Sequence, residues 1–387
     1  LAVRYLIVCD YAMTFLGGAQ NALIRQAEAL HAQGHPVAVL APNVSKIKLS
    51  PGIQRIEPPK VAKMPSIDMP LFRNNSKLRK FLHETFAALK PDAILSHSEF
   101  ALVAATTQVA RELGVASLHT VHTFFWHTPA WTAILTPIGR AYFAYITGFK
   151  APKVRLAKNS MDNALRNMTL AACQHADVTI SPSRHQGEKI QAAGVAKVAV
   201  VSNVTEAGGT PTPLPAGEPF KLAWIGRFSP EKRLEVALEG VAMANRELAK
   251  SGRSIELHIA GGPAREGYDY VWHGTLDASG VAKLLTESHA VAVTSLGFDN
   301  QPMVVLEAFS HGRPVVLSDP VLGKEFGEAA ALTPTPDAAG LAATLLRLID
   351  DRPAMERAAS AAANAAKMAT AKVHAEQLES LVRESKA

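Results

Sequence analysis

The chain has 387 residues, 48% of them hydrophobic, with a mean hydropathy of +0.07. That length exceeds one ordinary core, so two globular domains are expected, and no run of about 18 apolar residues offers a membrane span. Its two cysteines, Cys9 and Cys173, exclude a cysteine-built metal site and point to a reducing, cytoplasmic compartment. The net charge of +6 is unevenly placed. Residues 1–205 carry 22 Lys+Arg against 11 Asp+Glu, and residues 206–387 carry 18 against 23. A basic half joined to an acidic half suits contact of the first half with an anionic surface, although compositional drift gives the same asymmetry.

In chain order, RYLIVCD (4–10) reads as a central strand rather than a signal peptide, because no charged segment precedes it and no small-residue cleavage site follows. Gly17-Gly18 and an amphipathic helix over 19–34 come next, then the strand PVAVLAP (36–42). This is a βαβ unit and calls for a parallel sheet. DAILSHS (92–98), VASLHTVHT (115–123), ADVTISPS (176–183) and KVAVVSN (197–203) read as later strands, each preceded by a helical stretch. TEAGGTPTPLPAGEP (205–219) lacks periodicity and reads as a linker. The pattern then restarts with FKLAWIGRF (220–228), a helix over 234–252, IELHIAGGP (255–263), AVAVTS (290–295) and RPVVLSD (313–319). The Ala-rich tail, about 353–384, reads as one helix. The fold class is therefore α/β, with two doubly wound Rossmann-like domains, 1–204 and 220–387, facing across a cleft. The tail helix is expected to cross back to the first domain. Ligands in such sheets bind beyond the carboxyl ends of the strands.

The chemistry is concentrated at those ends. Neither a G-x-G-x-x-G nor a G-x-x-x-x-G-K-[ST] motif follows a first strand, which argues against a dinucleotide oxidoreductase and a P-loop enzyme. Gly17 and Gly18 would let a phosphate approach the backbone, though such a pair is often only a tight turn. In GRFSPEKR (226–233), Arg227 and Lys232 stand five residues apart across a turn, so both cations could reach one diphosphate. A solvated basic turn has the same spacing. In DNQPMVVLEA (299–308), Asp299 precedes a helix start. Pro302 suits its first position, Met303 and Val304 are left to donate N–H groups to an anion, and Glu307 lies a turn inside. The histidines His97, His119, His122 and His127 cluster in sequence without a nearby carboxylate, so no metal site is expected.

Together GGAQ (17–20), HTVHT (119–123), GRFSPEKR, HIAGG (258–262) and DNQPMVVLEA resemble the retaining GT-B glycosyltransferases of family GT4, over nearly the whole chain. The resemblance implies that Arg227 and Lys232 grip the donor diphosphate and Glu307 holds the nucleotide ribose. Gly17 and Gly18 would lie near donor phosphate and acceptor, and His122 would reach the transferred sugar. It implies Asp299 on the sugar hydroxyls, where the family usually has Glu. Val204 replaces the glycine of a family Asn-Gly after Asn203, so that loop is given no role. His273-Gly274 is expected to lend backbone near the base.

The segment 124–166 is less typical. It carries eight aromatics up to Phe149, and from Arg140 to Arg166 six basic residues against Asp162 alone. Such interleaving suits a membrane interface or a lipid pocket, as well as an ordinary core with a solvated basic face. PSIDMP (65–70) resembles a loop of bacterial enzymes that glycosylate diacylglycerol lipids. The expectation is a retaining hexosyltransferase that uses a UDP- or GDP-sugar and a membrane lipid such as diacylglycerol or a glycolipid. It would work by same-face attack, without metal or cofactor and without a nucleic-acid partner, at the cytoplasmic face of a membrane. A soluble or polysaccharide acceptor, or nucleotide-sugar binding without transfer, are the competing readings.

Overall fold

The computed structural model describes residues 2–14, 17–61, 63–64, 69–205 and 209–386. The loop residues Pro65–Asp68 of PSIDMP lie outside the described residues. The chain forms two compact units, Leu1–Val204 with Ala371–Ala387, and Thr205–Thr370.

The first unit holds β1 (Tyr5–Val8), β2 (Val37–Leu40), β3 (Gln54–Ile56), the short antiparallel pair β4 (Lys63–Met64) and β5 (Met69–Pro70), β6 (Ala93–Ser96), β7 (Ala116–Thr120), β8 (Val178–Ser181) and β9 (Val198–Val200). Seven of them make one all-parallel sheet in the order β3-β2-β1-β6-β7-β8-β9. Its central strands are buried on both faces, which is why they read as unbroken apolar runs. The order reverses between β1 and β6, and such a switch point opens a crevice at the strands' carboxyl ends. The helix Gly18–Ala32 follows β1, and Ala101–Glu112 follows β6. The tail helix Ala371–Lys386 buries Ala375, Leu378 and Val382 in the core of this unit.

The second unit holds β10 (Phe220–Ile225), β11 (Ile255–Ala260), β12 (Val271–Trp272), β13 (Ala290–Val293), β14 (Val315–Leu317) and β15 (Ala330–Leu332). They form a parallel sheet in the order β12-β11-β10-β13-β14-β15, with its switch point between β10 and β13. The Pro- and Gly-rich stretch after residue 208 is tied to this unit. Leu214 is buried in its core, and the fully buried Arg313 guanidinium donates to the carbonyls of Thr212, Pro213, Leu285 and Thr286.

The expected single tail helix is two. Arg352–Ala366 belongs to the second unit, a 3-10 turn covers Lys367–Ala369, and Thr370 is extended before the helix Ala371–Lys386 begins. Among the described residues no helix is long and apolar enough to cross a membrane.

Candidate functional site

In the second unit the loop after β10 carries Arg227 and Lys232. A 3-10 turn over Pro230–Lys232 closes on Arg233, whose left-handed backbone (φ 52°) leads into the helix Leu234–Leu248. Thr294, just past β13, fixes this loop: its hydroxyl donates to the Lys232 carbonyl at 2.7 Å and accepts from the Trp224 indole at 3.0 Å. Gly261 and Gly262 end β11 with φ of +108° and +63°. A Cβ on Gly261 would overlap the Gly226 carbonyl, and one on Gly262 would enter the Phe228 ring. The glycine pair of HIAGG therefore lets one strand end pack beneath the loop of the next.

Lys232 and Asp299 come together. The Lys232 ammonium donates to both Asp299 carboxylate oxygens, at 2.6 and 2.8 Å, and lies 5.9 Å from the Phe298 ring centroid. The pair sits at the carboxyl ends of β10 and β13, across the switch point. Arg227 stands apart, its guanidinium 3.6 Å from Glu231 and more than half exposed.

Pro302 is the residue before the helix, not its first residue. Its ψ of 126° is extended, and the helix runs Met303–Ser310. The Val305 N–H turns back to the Pro302 carbonyl at 3.0 Å. Met303 and Val304 are thus the N–H groups at this end that the helix itself does not use. Glu307 is half-buried one turn further in. The backbone of His273-Gly274 is engaged within the sheet, since His273 N–H donates to Ile259 and the Gly274 carbonyl accepts from Gly261.

In the first unit Gly17 caps the helix Gly18–Ala32, its N–H donating to the Gln20 side chain at 3.2 Å. A methyl group on Gly18 would meet nothing within 4 Å. Asp10, just past β1, caps a different helix from a distance. It accepts from the N–H of Leu102 at 2.6 Å and of Phe100 at 3.2 Å, and from the Ser98 hydroxyl at 2.8 Å. Burial still pushes its carboxyl up to about 6 and that of Glu99 up to about 7.

His122, at the end of β7, meets His97, at the end of β6: His97 Nδ1 and His122 Nε2 are 2.7 Å apart. Burial pushes the His122 imidazole down to about 4 and His97 well below its usual value. His119 is buried against the Ser96 hydroxyl at 2.9 Å and lowered to about 3. His127 is exposed, and the fold brings Asp162 to 3.7 Å from it, a carboxylate the sequence did not place there. Among the described residues no group of three or more His, Cys, Asp and Glu side chains is arranged to hold a metal.

Sequence reasoning singled out Arg227, Lys232, Asp299, Glu307 and His122, and grouped His97 with His122, but passed over Thr294, Gln26 and His374. Those three belong to no motif, because they come from a strand end and helices far apart in the chain.

Comparison with known proteins matches the model "Glycosyltransferase Family 4" over residues 16–206 and "Glycosyl transferases group 1" over residues 219–351. The chain is 25% identical to a phosphatidyl-myo-inositol mannosyltransferase of Mycolicibacterium smegmatis, over 90% of this chain and 85% of that one. Among solved structures, Anabaena HepE in complex with UDP superposes with a TM-score of 0.68 at 14% identity, covering 98% of this chain and 100% of that one. The catalytic domain of starch synthase IV from Arabidopsis thaliana, bound to ADP and acarbose, gives 0.66 at 13% identity, covering all of both chains. With two doubly wound units and both family models matched in order, the chain belongs to the GT4-type glycosyltransferases of GT-B fold.

Proposed function

We propose that this glycosyltransferase moves a hexose, with retention, from a UDP- or GDP-sugar to a membrane lipid of the diacylglycerol or glycolipid type. The observation that carries the acceptor is one helical face. Along Ala130–Thr147, Trp131, Ile134, Ile138, Tyr142 and Tyr145 are all exposed, Ile134 at 80% and Ile138 at 67%. Their spacing is that of one apolar stripe, here turned outward. No Asp or Glu occurs between Glu112 and Asp162, while Arg140, Lys150, Lys153, Arg155 and Lys158 do. An apolar stripe within a basic, acid-free stretch suits an anionic lipid surface at the cytoplasmic face of a membrane. The lipid named in the mycobacterial relative supports the same reading. Phe124, Phe143 and Phe149, by contrast, are core residues.

On the donor side, Arg227, Lys232 and the N–H groups of Met303 and Val304 take the diphosphate, and Glu307 takes the ribose. Gly17 and Gly18 leave room beside the phosphates. The arriving diphosphate competes with Asp299 for Lys232, which frees the carboxylate to accept from sugar hydroxyls. The bond from the anomeric carbon to the phosphate oxygen breaks, and the acceptor oxygen bonds on the same face. Its proton passes to the departing phosphate. Arg227 and Lys232 balance the leaving charge, so no metal or cofactor is invoked. Relatives in fold bind UDP or ADP, so the base is left to measurement.

Thermal shift with UDP, GDP and ADP identifies the base. Arg227→Ala and Lys232→Ala are each expected to lower kcat by about 10²-fold in a folded enzyme. Near-wild-type turnover in both would remove the diphosphate assignment.

A further inference from the structure

Behind His122 runs a buried chain of side chains that no single motif joins. His122 Nε2 lies 2.7 Å from His97 Nδ1, His97 Nε2 lies 2.8 Å from Gln26 Oε1, and Gln26 Nε2 lies 2.9 Å from His374 Nε2. His374 Nδ1 ends the chain 2.9 Å from the Ser202 carbonyl. His97, Gln26 and His374 are each under 5% exposed. The two linked rings at the His122 end are 17° from parallel with centroids 5.0 Å apart, the edge-to-edge placement of an N–H···N bond rather than a face stack. The members come from the ends of β6 and β7, the helix Gly18–Ala32 and the tail helix.

Every proton in this chain follows from its far end. A carbonyl only accepts, so His374 must carry its proton on Nδ1 and leave Nε2 bare. The bare Nε2 takes a hydrogen from the Gln26 amide, which turns the amide oxygen toward His97. That oxygen accepts from His97 Nε2–H, so His97 Nδ1 is bare and accepts from His122 Nε2–H. Reversing the Gln26 amide would set His374 Nδ1, without a proton, against the Ser202 carbonyl, two acceptors face to face. From this order we infer that Gln26, His97 and His374 are positioning residues. They hold His122 as the Nε2–H tautomer, with Nδ1 free of a proton and able only to accept.

The functional consequence rests on the reading of His122 as the residue that meets the transferred sugar. An acceptor nitrogen selects a group that brings its own hydrogen, such as a sugar hydroxyl. It does not favour a phosphate oxygen or the ring oxygen. His122 is therefore a specificity residue for one hydroxyl of the donor sugar, set by a tail-helix histidine 348 residues from Gln26.

Long-range proton–nitrogen NMR of the imidazoles in the whole protein, without ligand, reads the tautomers directly. The expected spectrum has His122 and His97 protonated on Nε2 and His374 on Nδ1. Gln26→Leu, or His374→Leu should the first not fold, is expected to give a tautomer mixture at His97 and His122. Monodeoxy donor sugars supply the kinetic readout. In the wild type one missing hydroxyl costs roughly tenfold in kcat/KM, the worth of one hydrogen bond, and in the folded variant that hydroxyl no longer matters. A merely structural lesion would slow every donor alike. An Nδ1–H tautomer at His122 in the wild type overturns the chain. The expected tautomer with no hydroxyl dependence overturns the specificity role. Full activity in His122→Ala would place the failure in the sugar-contact reading instead.

Discussion

At the scale of the residue, the site depends on contacts between partners distant in sequence. Lys232 and Asp299, 67 positions apart, each stood out in its own motif, yet nothing local signalled that they bind one another. A motif shows which groups are present, and the fold decides which of them meet. The glycines divide the same way. Gly261 and Gly262 are required by their left-handed backbone and by crowding from the Gly226 carbonyl and the Phe228 ring, whereas Gly18 is not: its φ is not in the left-handed region, and space surrounds the position of a Cβ. Packing among the described residues thus does not demand glycine at 18, which is compatible with the proposed approach of a donor phosphate there. Gly18→Ala should leave the fold intact or stabilise it by up to about 1 kcal/mol, since alanine suits a helix better. The same methyl should lower kcat/KM by about tenfold or more if a donor phosphate packs there. A raised Tm with undiminished activity would take Gly18 out of the site. Gly261→Ala has the opposite profile and should cost at least about 3 kcal/mol, through overlap with the Gly226 carbonyl.

Elements were legible where burial imposes a period, and less so where tertiary contacts override propensity. The central strands of both sheets stood out as apolar runs, with ends trimmed by up to three residues in the fold, whereas the short edge strands β3, β12 and β15 did not. Alanine content made the tail look continuous. Its two halves instead bury different stripes in different units, Met355, Ala358 and Ala362 in one and Ala375, Leu378 and Val382 in the other. Between them the Ala369 carbonyl is taken by the Thr205 N–H at 3.1 Å, and Thr370 leaves the helical conformation. For Ala130–Thr147 the sequence left core and membrane interface equally open, because a stripe does not say which way it faces. Its outward orientation makes the membrane reading testable. Ile134→Ser with Ile138→Ser removes two apolar side chains that pack against little, so folding stability should change by less than about 0.5 kcal/mol. Flotation with vesicles containing anionic lipid should fall at least tenfold, which needs a loss of only about 1.4 kcal/mol. Binding should also weaken with added salt, as basic side chains contribute about 1 kcal/mol each near such a surface. Equal flotation of the double variant and the wild type would return the stripe to an ordinary surface and favour a soluble acceptor.

At the scale of the molecule, the first unit buries ionisable groups of both kinds around its switch point, and their opposite shifts set a pH response. His119 is lowered to about 3, His122 and His374 to about 4, and His97 well below its usual value, all chiefly by burial. A histidine depressed in the fold contributes stability that is complete above the unfolded value near 6.5 and is lost as pH falls toward 4. Asp10 and Glu99 are raised to about 6 and about 7, again by burial. Their contribution has the other sign, present at acid pH and lost as pH rises through those values. Between about pH 5 and 6 the unfolded chain holds a proton on each of the four histidines and the folded unit on none. The folded unit holds one on each of the two acids and the unfolded chain on neither. The unfolded state therefore carries two more protons, and stability should fall by about 3 kcal/mol per pH unit on acidification. Urea unfolding at pH 7.5 and 5.5, read by pulse labelling of the peptide spanning Tyr5–Val8, follows this unit alone. Its midpoint should drop at the lower pH. Glu99→Gln removes one opposing proton, so it should stabilise the unit at pH 7.5 and steepen the loss to about 4 kcal/mol per unit. A midpoint that stays level or rises on acidification would mean that the histidines are not held neutral by burial. The proton order along Ser202, His374, Gln26, His97 and His122 would then lose its footing in the folded state.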